Sequence, residues 1–487
     1  MLVIGYWVAG KARAKFSVVS NSNNFKESYT VIEYEKNIEE DKTVYDVIIA
    51  GGGPAGCAAA LAAARAGSSV LLVEGQGQLG GTATSGLVSH WLGGRSVDCK
   101  GWIVGGIFKE LSEEAVEAGF ALLPEPEKDG SHSPFGWGGA GGTLTAGVPF
   151  DPYRMAELLD KKMMDAGIKV LLVTQVVDVL VEEDRITHLI IFNKSGFKAV
   201  GAKTFIDATG DADIAAFSGC EYLIGQGPEQ GVAPTTLQLH VDNVDQEELT
   251  GYINLYDSTR FLKEIEQWKV EGKWHADYDR LITVQLERPG LFIVNTSRIC
   301  RVDGTDAESI TDGYIRARKD TIQLFDFLQK NVPGFKDARI KAVAPMLGIR
   351  ESRRLKGEYV LTVDDLLSGR KFDDTIGYSG YGWDMPDPNR PSYQPMHDVG
   401  KEISSGLVPI PFRIMIPQPV SNLLCPGRAV SAEREVLGPL RVMAPCMAMG
   451  QAAGMAAAMV AEQEIGVFGE INIPELQDSL RKRGAVL

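Results

Sequence analysis

Hydrophobic residues in the first part of the chain fall into short runs separated by glycine and other small residues. Residues 45–50 (YDVIIA) have the pattern of a buried strand, residues 57–66 that of a small-residue helix ending at Gly67, and residues 69–74 (SVLLVE) that of a second strand. A glycine-rich turn joins the first strand to the helix. This order of strand, turn, helix and strand predicts a βαβ unit within a parallel sheet.

Further elements follow the same alternation. Asp151 and Pro152 form a favourable helix start, an N-cap residue followed by proline in the first turn, so we expect a helix over residues 153–166. Four strand-like runs come next, at residues 170–173, 176–181, 186–192 and 203–208. The alternation of strands and helices predicts an α/β fold.

The chain changes in character between about residues 220 and 345. Polar helical segments such as 311–328 mix there with alternating strands such as 291–297. We interpret this region as a separate substrate-side domain. The apolar pattern returns in a strand over residues 422–425 and in a long helix rich in alanine, methionine and glycine over residues 442–461.

The turn after the first strand has GxGxxG spacing. Gly51 allows the tight turn, Gly53 lets the backbone approach a pyrophosphate, and Gly56 lets the helix pack closely on the strand. Glu74 ends the second strand 18 residues after Gly56, close to the position of a carboxylate that binds ribose hydroxyls. With strand, helix and acid in register, the segment predicts a dinucleotide bound at the N-terminus of the helix.

The fingerprint alone does not distinguish FAD from NAD. Gly136, Gly138 and Gly141 repeat the spacing, but no apolar strand precedes them and no early helix follows, so we interpret that stretch as a flexible loop. A nicotinamide-dependent flavoenzyme of the disulfide-reductase type would carry a second unit. A single unit near the N-terminus of a long chain therefore favours FAD.

Composition and charge narrow the class of protein. The chain has 487 residues, enough for two or three folding units, and its 44% apolar and 23% charged residues are ordinary for a globular protein. The net charge is −15 and no basic stripe is visible, which argues against a nucleic-acid partner.

Cysteine usage and hydropathy bear on the compartment. The six cysteines include no CxxC pair, so the sequence gives no signal for a metal or iron–sulfur site, and scattered thiols favour a reducing, cytoplasmic compartment. No apolar stretch approaches the roughly 20 residues that span a bilayer, so we expect no membrane span. Residues 1–10 are apolar, but basic residues follow them rather than precede them, the reverse of a secretory signal.

Four motifs together carry a resemblance to a known family. They are VIIAGGGPAG (47–56), LLVEGQGQLGGTATSGL (71–87), FIDATGDADIAAFSG (205–219) and NLLCPGRAVSAEREVLGPLRVMAPCMAMGQAAG (422–454). The sequence resembles the FAD-dependent oxidoreductase family often called FAD_oxidored, which is related to the flavoproteins of fumarate reductase, succinate dehydrogenase and heterodisulfide reductase. The resemblance implies a Rossmann-like α/β FAD-binding domain of the glutathione-reductase type with an inserted α+β substrate domain.

The same resemblance implies a division of the chain. Residues 42–219 and 346–487 would form one discontinuous FAD-binding domain, and residues 220–345 the substrate domain inserted in it. Residues 1–41 would be an N-terminal extension or an edge strand.

The resemblance also implies which residues contact FAD. Val176 would lie near the adenine, Gly427 and Arg428 would face the ribityl chain and pyrophosphate, and the helix beginning near Arg441 and Val442 would point its N-terminus at the flavin pyrimidine ring. The predicted cofactor-binding residues are Gly51, Gly53, Pro54, Ala55, Gly56, Glu74, Gly80, Gly81, Thr82, Ala83, Val176, Ala208, Thr209, Gly210, Asp211, Gly427, Arg428, Arg441 and Val442.

Two features depart from the pattern of the broader fold. Flavoproteins of this kind usually place an acid after the glycine of the late strand, whereas Arg428 occupies that position here. Glu433, Arg434 and Glu435 are also more heavily charged than expected beside a flavin. Both departures concern the ribityl and active-site contacts.

The first catalytic candidates come from the GIRESRR segment at residues 348–354. The resemblance places this segment at the junction of the two domains, where Arg350 and Arg353 could clamp a carboxylate in bidentate fashion. A structural ion-pair network with Glu351 and Glu358 is an equally weighted alternative.

A histidine is the third catalytic candidate. Of six histidines, His90 has the best position because it follows the GGTATSG loop by a few residues, although any one histidine can also be a core or surface residue. In the succinate dehydrogenase group the flavin-linking histidine precedes the double glycine, and His90 follows it, so we do not expect covalent attachment. The aromatic stretch at residues 378–393 is either a wall of the substrate pocket or a surface loop.

The leading hypothesis is an FAD-dependent oxidoreductase that transfers a hydride between the flavin and a small organic substrate such as a carboxylate, with an unidentified electron acceptor. The alternative is an electron-transfer flavoprotein subunit of a larger redox complex. That alternative calls for iron–sulfur cysteines or a partner that supplies them. A third class, a flavoprotein that modifies RNA, is disfavoured by the acidic charge.

Overall fold

The computed structural model describes residues 2–8, 11–17, 35–136, 143–226, 231–398, 400–463 and 466–487, with the side chains in these ranges from residue 37 onward, apart from 397 and 398. The helices are α1 Pro54–Arg65, α2 Gly106–Glu117, α3 Pro152–Asp165, α4 Asp213–Phe217, α5 Gln246–Tyr256, α6 Leu262–Val270, α7 Ala307–Asn331, α8 Val363–Ser368, α9 Pro395–Asp398, α10 Leu437–Leu440, α11 Met443–Gln463 and α12 Ile473–Lys482. The strands are β1 Leu2–Val8, β2 Lys11–Ser17, β3 Glu35–Ala50, β4 Val70–Val73, β5 His90–Trp91, β6 Val148–Pro149, β7 Lys169–Leu171, β8 Gln175–Glu182, β9 Arg185–Asn193, β10 Gly196–Asp207, β11 Tyr222–Ile224, β12 Leu239–Asp242, β13 Thr283–Gln285, β14 Phe292–Val294, β15 Arg339–Val343, β16 Arg353–Leu355, β17 Thr375–Ser379, β18 Val408–Pro411 and β19 Leu423–Leu424. Of the repeated glycine spacing, Gly138 and Gly141 lie outside the described residues.

A parallel sheet forms the centre of the fold. Its strand order is β7–β4–β3–β10–β19, and each neighbouring pair in this order runs parallel. The first half of β10 also pairs antiparallel with β9, which pairs antiparallel with β8. The fold is therefore mixed α/β with a parallel-rich sheet, and the predicted unit of β3, α1 and β4 is confirmed.

The first strand of this unit is longer than its hydrophobic pattern predicts. It begins at Glu35 rather than at residue 45, and its residues 35–38 pair antiparallel with β2, which pairs in turn with β1. Charged residues fill this first half (EKNIEEDK), so the sequence lacks the apolar run by which a buried strand is identified.

Helices α1 and α11 pack directly on each other through small residues. A Cβ atom on Gly450 would lie 2.0 Å from the carbonyl oxygen of Ala55, and one on Gly454 would lie 2.1 Å from that of Ala59. Both contacts advance by four residues in the same direction, so the helices run parallel and their N-termini lie at the same end of the pair. Only glycine permits this approach of the two backbones.

The hydropathy of α11 corrects one expectation. At 21 residues this helix is long and apolar enough to cross a membrane, contrary to the expectation that no stretch approaches that length. However, 94% of its most apolar window is buried inside the protein, as in the core helix of a globular fold.

A second, antiparallel sheet has the order β13–β14–β12–β15. Helices α5, α6 and α7 cover it, and their shared core includes Leu249, Ile265, Phe292, Leu324 and Phe335. Helix α7 begins earlier than the predicted residue 311 because the side chain of Asp306 caps it, accepting a hydrogen bond of 2.7 Å from the backbone N–H of Ser309. These elements form an α+β arrangement.

Two other predicted boundaries matter for the site. Helix α3 starts as predicted, since the carboxylate of Asp151 accepts from the backbone N–H groups of Tyr153 at 2.8 Å and Arg154 at 3.1 Å. The strand predicted over residues 291–297 ends at Val294. The residues that follow therefore leave the sheet and are available to line a cavity.

Candidate active site

A cavity of about 470 Å³ lies where the N-termini of α1 and α11 face the antiparallel sheet. This volume is typical of small-molecule and cofactor sites. We call the wall that includes Gly51, Gly53, Glu74, Asp211 and Met443 the cofactor side. The opposite wall, the substrate side, includes Thr236, Gln238, Asn295, Arg298 and Arg350.

The glycine fingerprint forms the floor of the cofactor side. Gly51 has a φ of +96°, and a Cβ atom there would lie 2.3 Å from the carbonyl oxygen of Ala208. A Cβ on Gly56 would lie 1.8 Å from the carbonyl oxygen of Gly51, so this glycine lets the helix approach the turn. Gly53 has open space around its Cβ position, on the cavity surface. Gly51 and Gly56 therefore have the steric roles predicted for them, and the open space at Gly53 is compatible with the predicted approach of a pyrophosphate.

Two helix N-termini face the same cavity. Pro54 and Ala55 at the start of α1 line it, as do Val442, Met443 and Cys446 at the start of α11. The unpaired N–H groups and positive dipole ends of both helices favour negative charge there. Burial raises the pKa of the Cys446 thiol to about 12, so this residue is a neutral wall group.

Glu74 lies at the edge of the cofactor side. Its two carboxylate oxygens accept hydrogen bonds from the backbone N–H groups of Gly52 at 2.5 Å and Gln76 at 2.6 Å. Burial raises the pKa of this carboxyl above its ordinary value. The position after β4, beside the fingerprint, is that of an acid that binds ribose hydroxyls.

The unusual Arg428 has a local explanation. Its Nη2 donates to Oδ1 of Asp211 at 2.7 Å, and the Oγ of Ser352 donates to the same oxygen at 2.5 Å. The acid near the late strand end is thus supplied by the ATGD motif, and Arg428 pairs with it. Arg434 lies away from the cavity, because its Nε donates to the buried Glu351 at 3.1 Å.

Most of the predicted cofactor-binding residues lie together on the cavity surface. These residues are Gly51, Gly53, Pro54, Ala55, Glu74, Gly81, Thr82, Val176, Ala208, Thr209, Gly210, Asp211, Gly427, Arg428, Arg441 and Val442. Gly56, Gly80 and Ala83 lie behind this surface. Gly80 has a φ of +101° and donates its N–H to the carbonyl of Gly52, so it shapes the turn that carries Gly81 and Thr82.

Of the predicted catalytic residues, Arg350 and His90 line the cavity and Arg353 does not. The Nη1 of Arg353 donates to Oδ1 of Asp213 at 2.8 Å and to the carbonyl oxygen of Asp211 at 3.0 Å, and its guanidinium lies over the ring of Tyr222. The prediction of a clamp by both arginines is therefore wrong for Arg353, which is held in an ion pair.

His90 is buried at the edge of the cofactor side. Burial lowers its pKa to about 4, and its Nε2 has no hydrogen-bond partner among the described residues. The other histidines with described side chains lie away from the cavity surface: His132, His188, His240 and His275. The side chain of His397 is outside the described residues.

The substrate side contributes an arginine that the sequence did not indicate. Nη1 of Arg298 donates to Oγ1 of Thr236 at 3.0 Å and to Oδ1 of Asn295 at 3.1 Å. Nη2 of Arg350 donates to that same Oδ1 at 3.3 Å, and its Nη1 donates to the carbonyl of Pro234 at 2.6 Å. The amide of Asn295 therefore holds two like-charged guanidinium groups next to each other.

A third arginine lies where the two sides meet. Nη2 of Arg441 donates to Oδ2 of Asp384 at 3.0 Å, the hydroxyl of Tyr381 donates to the same oxygen at 3.3 Å, and Gln394 donates to Oδ1 at 3.0 Å. Tyr381 and Asp384 line the cavity. The aromatic stretch is thus part of the wall at these two positions, whereas the indole of Trp383 donates to the carbonyl of Lys401.

The charges on this side are unbalanced. Burial lowers the pKa of Arg350 well below its ordinary value, and the neighbouring Arg298 and Arg441 lower it further. Burial acts to raise the pKa of Asp384, but Arg441, Arg350 and Arg298 outweigh it and hold that pKa low. Three guanidinium groups face one carboxylate here, so the substrate side of the cavity favours an anion.

Asn295 and Arg298 have no motif in the sequence. Asn295 follows β14 directly and Arg298 comes three residues later. Polar residues after the end of a strand were the only sequence signal that they line a cavity. No cluster of three or more His, Cys, Asp or Glu side chains suited to a metal ion occurs within the described ranges.

Comparison with known proteins identifies one family. The profile of the family described as FAD dependent oxidoreductase matches residues 46–480. Among solved structures, a geranylgeranyl bacteriochlorophyll reductase-like protein from Thermoplasma acidophilum is 14% identical, with a TM-score of 0.45 over 91% of this chain and 83% of its own. A flavin-dependent brominase is 14% identical, with a TM-score of 0.47 over 90% of this chain and 83% of its own. A search of curated proteins found no match to the chain.

Proposed function

The chain belongs to the FAD-dependent oxidoreductase family and uses FAD as its cofactor, and we propose that it transfers a hydride between the flavin and a small organic carboxylate. This proposal rests on one observation, the group of Arg298, Arg350 and Arg441 beside the N-terminus of α11. These three guanidinium groups face the single carboxylate of Asp384 on their side of the cavity. Guanidinium groups bind carboxylates through paired hydrogen bonds.

The residues present fit FAD. The open space at Gly53 and the N-terminus of α1 suit a pyrophosphate, and the carboxylate of Glu74 suits a ribose. We place the adenine near Val176 and the flavin ring near the N-terminus of α11, as in a domain of the glutathione-reductase type. Bound FAD supplies the hydride acceptor or donor.

The chain's own residues would bind and orient the substrate. Arg298 and Arg350 hold its carboxylate, and Asn295 fixes the distance between them. The phenol of Tyr381 donates its proton to Asp384, and burial raises its pKa, so it is a neutral group whose oxygen can accept a hydrogen bond from the substrate. His90 is neutral at pH 7, the form that accepts a proton, and it is our proposed acid–base group.

Titration of the FAD-loaded protein tests the proposal. Small carboxylates added to the protein should perturb the flavin absorbance in a saturable way, and at least one should reduce the flavin or oxidise its reduced form in the absence of oxygen. Inorganic phosphate is the competing anion, since guanidinium groups also bind phosphate. Tighter binding of phosphate than of every carboxylate, or no perturbation by any carboxylate, would refute the carboxylate assignment.

A further inference from the structure

Gln238 has an unsatisfied side-chain amide on the substrate side. The residue is 2% exposed and lines the cavity, and its Oε1 has no hydrogen-bond partner among the described residues. A buried acceptor without a partner, such as this Oε1, is costly because it has lost its hydrogen bonds to water. A ligand that supplies a partner would remove this cost.

The amide lies on the same wall as the anion-binding arginines. Thr236 and Gln238 both line the cavity, whereas Leu237 between them packs with Ile299 and Val302. Oγ1 of Thr236 accepts the hydrogen bond from Arg298, which places the carboxylate anchor at this end of the segment. Alternate residues of an extended segment are about 7 Å apart and point the same way. A ligand held by Arg298 can therefore extend along the wall toward Gln238.

The charge of the cavity decides which polar group fits there. The unpartnered atom Oε1 is an acceptor, so a hydroxyl or an ammonium group could donate to it, whereas a carbonyl could not. An ammonium group would meet the repulsion of Arg298, Arg350 and Arg441. The carboxylate of Asp384 offsets one of these three positive charges, and it already accepts hydrogen bonds from Arg441, Tyr381 and Gln394, so an excess of positive charge remains.

We infer that the pocket takes a hydroxycarboxylate rather than an amino acid, with Gln238 as the residue whose Oε1 accepts a hydrogen bond from the neutral hydroxyl. This inference rests on the proposed function, because it assumes that the arginines bind a carboxylate. It adds a specificity-determining residue to that site and separates two classes of substrate that share a carboxylate.

The experiment compares acids with matched carbon skeletons on the FAD-loaded protein. The probes are propionate, lactate, pyruvate and alanine for three carbons, and succinate, malate, oxaloacetate and aspartate for four. Dissociation constants come from the change in flavin absorbance. In the skeleton that binds best, we expect the hydroxy acid to bind at least about tenfold more tightly than the amino acid, and more tightly than the oxo acid, which has no proton to donate to Oε1.

Two matched variants separate recognition from structure. Gln285 is also buried with an unpartnered Oε1, but it does not line the cavity. Gln238→Leu should weaken binding of the hydroxy acid by about tenfold and of the unsubstituted acid by about twofold or less. Gln285→Leu should leave both constants unchanged. Retained flavin content in each variant reports that the fold is intact.

The outcomes distinguish the two proposals. If carboxylates bind but the amino acid binds as tightly as the hydroxy acid, or Gln238→Leu affects all acids equally, the inference is wrong and the proposed function stands. If no carboxylate perturbs the flavin of the unsubstituted protein, the proposed function is wrong and the inference fails with it.

Discussion

The two walls of the cavity present different chemical groups. The cofactor side presents mainly backbone: the turn at Gly51 and Gly53 and the N-termini of α1 and α11. The substrate side presents long side chains, the guanidinium groups of Arg298 and Arg350 and the amide of Gln238. The cofactor side would therefore bind through backbone groups that small residues leave accessible, and the substrate side through polar groups at the ends of side chains.

The difference predicts opposite responses to substitution. Where the backbone binds, adding a single methyl group does most harm, because there is no space for it. Where side chains bind, removing their polar ends does most harm and added bulk is secondary. Substitutions on the cofactor side should consequently change flavin content, and substitutions on the substrate side should change substrate affinity.

The largest effect is expected from Gly51→Ala. The new Cβ would lie 2.3 Å from the carbonyl of Ala208, in a residue with a φ of +96°. Moving that carbonyl displaces the strand end beside the pyrophosphate site, so we expect FAD affinity to fall by at least about 100-fold. The measurement is FAD dissociation by fluorescence, with circular dichroism as a check on folding.

Gly77→Ala is the matched control for this change. A Cβ on Gly77 would have no heavy atom within 4 Å, and the residue follows Gln76, which lines the same cavity as Gly51. The FAD affinity of this variant should equal that of the unsubstituted protein. Equal losses in both variants would mean that the loss of a glycine near the cavity, rather than the close approach at Gly51, governs binding.

The same contrast explains how much could be predicted from the sequence. Backbone recognition needs small residues at fixed local spacing, so the fingerprint and Glu74 were visible before the structure. Arg298 was not, because its neighbours Thr236 and Arg350 lie far away in sequence and only the antiparallel sheet brings them together. Arg353 was misassigned for the same reason: its partner Asp213 is 140 residues away.

On the substrate side, Arg350→Met should reduce kcat/KM for the best carboxylate by a factor of roughly 100 to 1,000, since it removes a charged hydrogen-bonding group from a buried anion. Flavin content should stay the same. Arg353→Met is the matched control, because Arg353 is in an ion pair outside the cavity. We expect it to lower thermal stability without changing KM. An equal fall of kcat/KM in both variants would mean that Arg353 also contributes to substrate binding.

Acid should destabilise the fold through two buried neutral histidines, one on the cavity surface and one in β12. Burial lowers the pKa of His90 and of His240 to about 4, from an ordinary value near 6.5. The unfolded chain binds protons first as the pH falls, so stability is complete above pH 6.5 and is lost toward pH 4. Each histidine can account for about 3 kcal/mol of unfolding free energy over that range.

His240→Gln tests whether His240 accounts for part of this loss of stability in acid. Nε2 of His240 lies 2.9 Å from the carbonyl of Leu87, and a glutamine amide can donate to the same oxygen. Chemical denaturation at pH 7 and at pH 4 should show a loss of stability that is smaller than that of the unsubstituted protein by up to about 3 kcal/mol. An unchanged pH dependence would show that His240 is protonated in the folded state near its ordinary pKa.

The smallest effect is expected at the point where the walls join. Ser352 and Arg350 lie two residues apart, and the hydroxyl of Ser352 donates to Asp211 on the cofactor side while Arg350 lines the substrate side. Ser352→Ala removes one of two donors to Oδ1 of Asp211, and Arg428 retains the other. We therefore expect FAD affinity to fall about threefold to tenfold, the loss of one hydrogen bond, with KM for the carboxylate changing less. A larger change in KM than in FAD affinity would mean that the segment containing Arg350 and Ser352 couples the two walls. The walls would then differ in the chemical groups they present, but their binding free energies would not be independent.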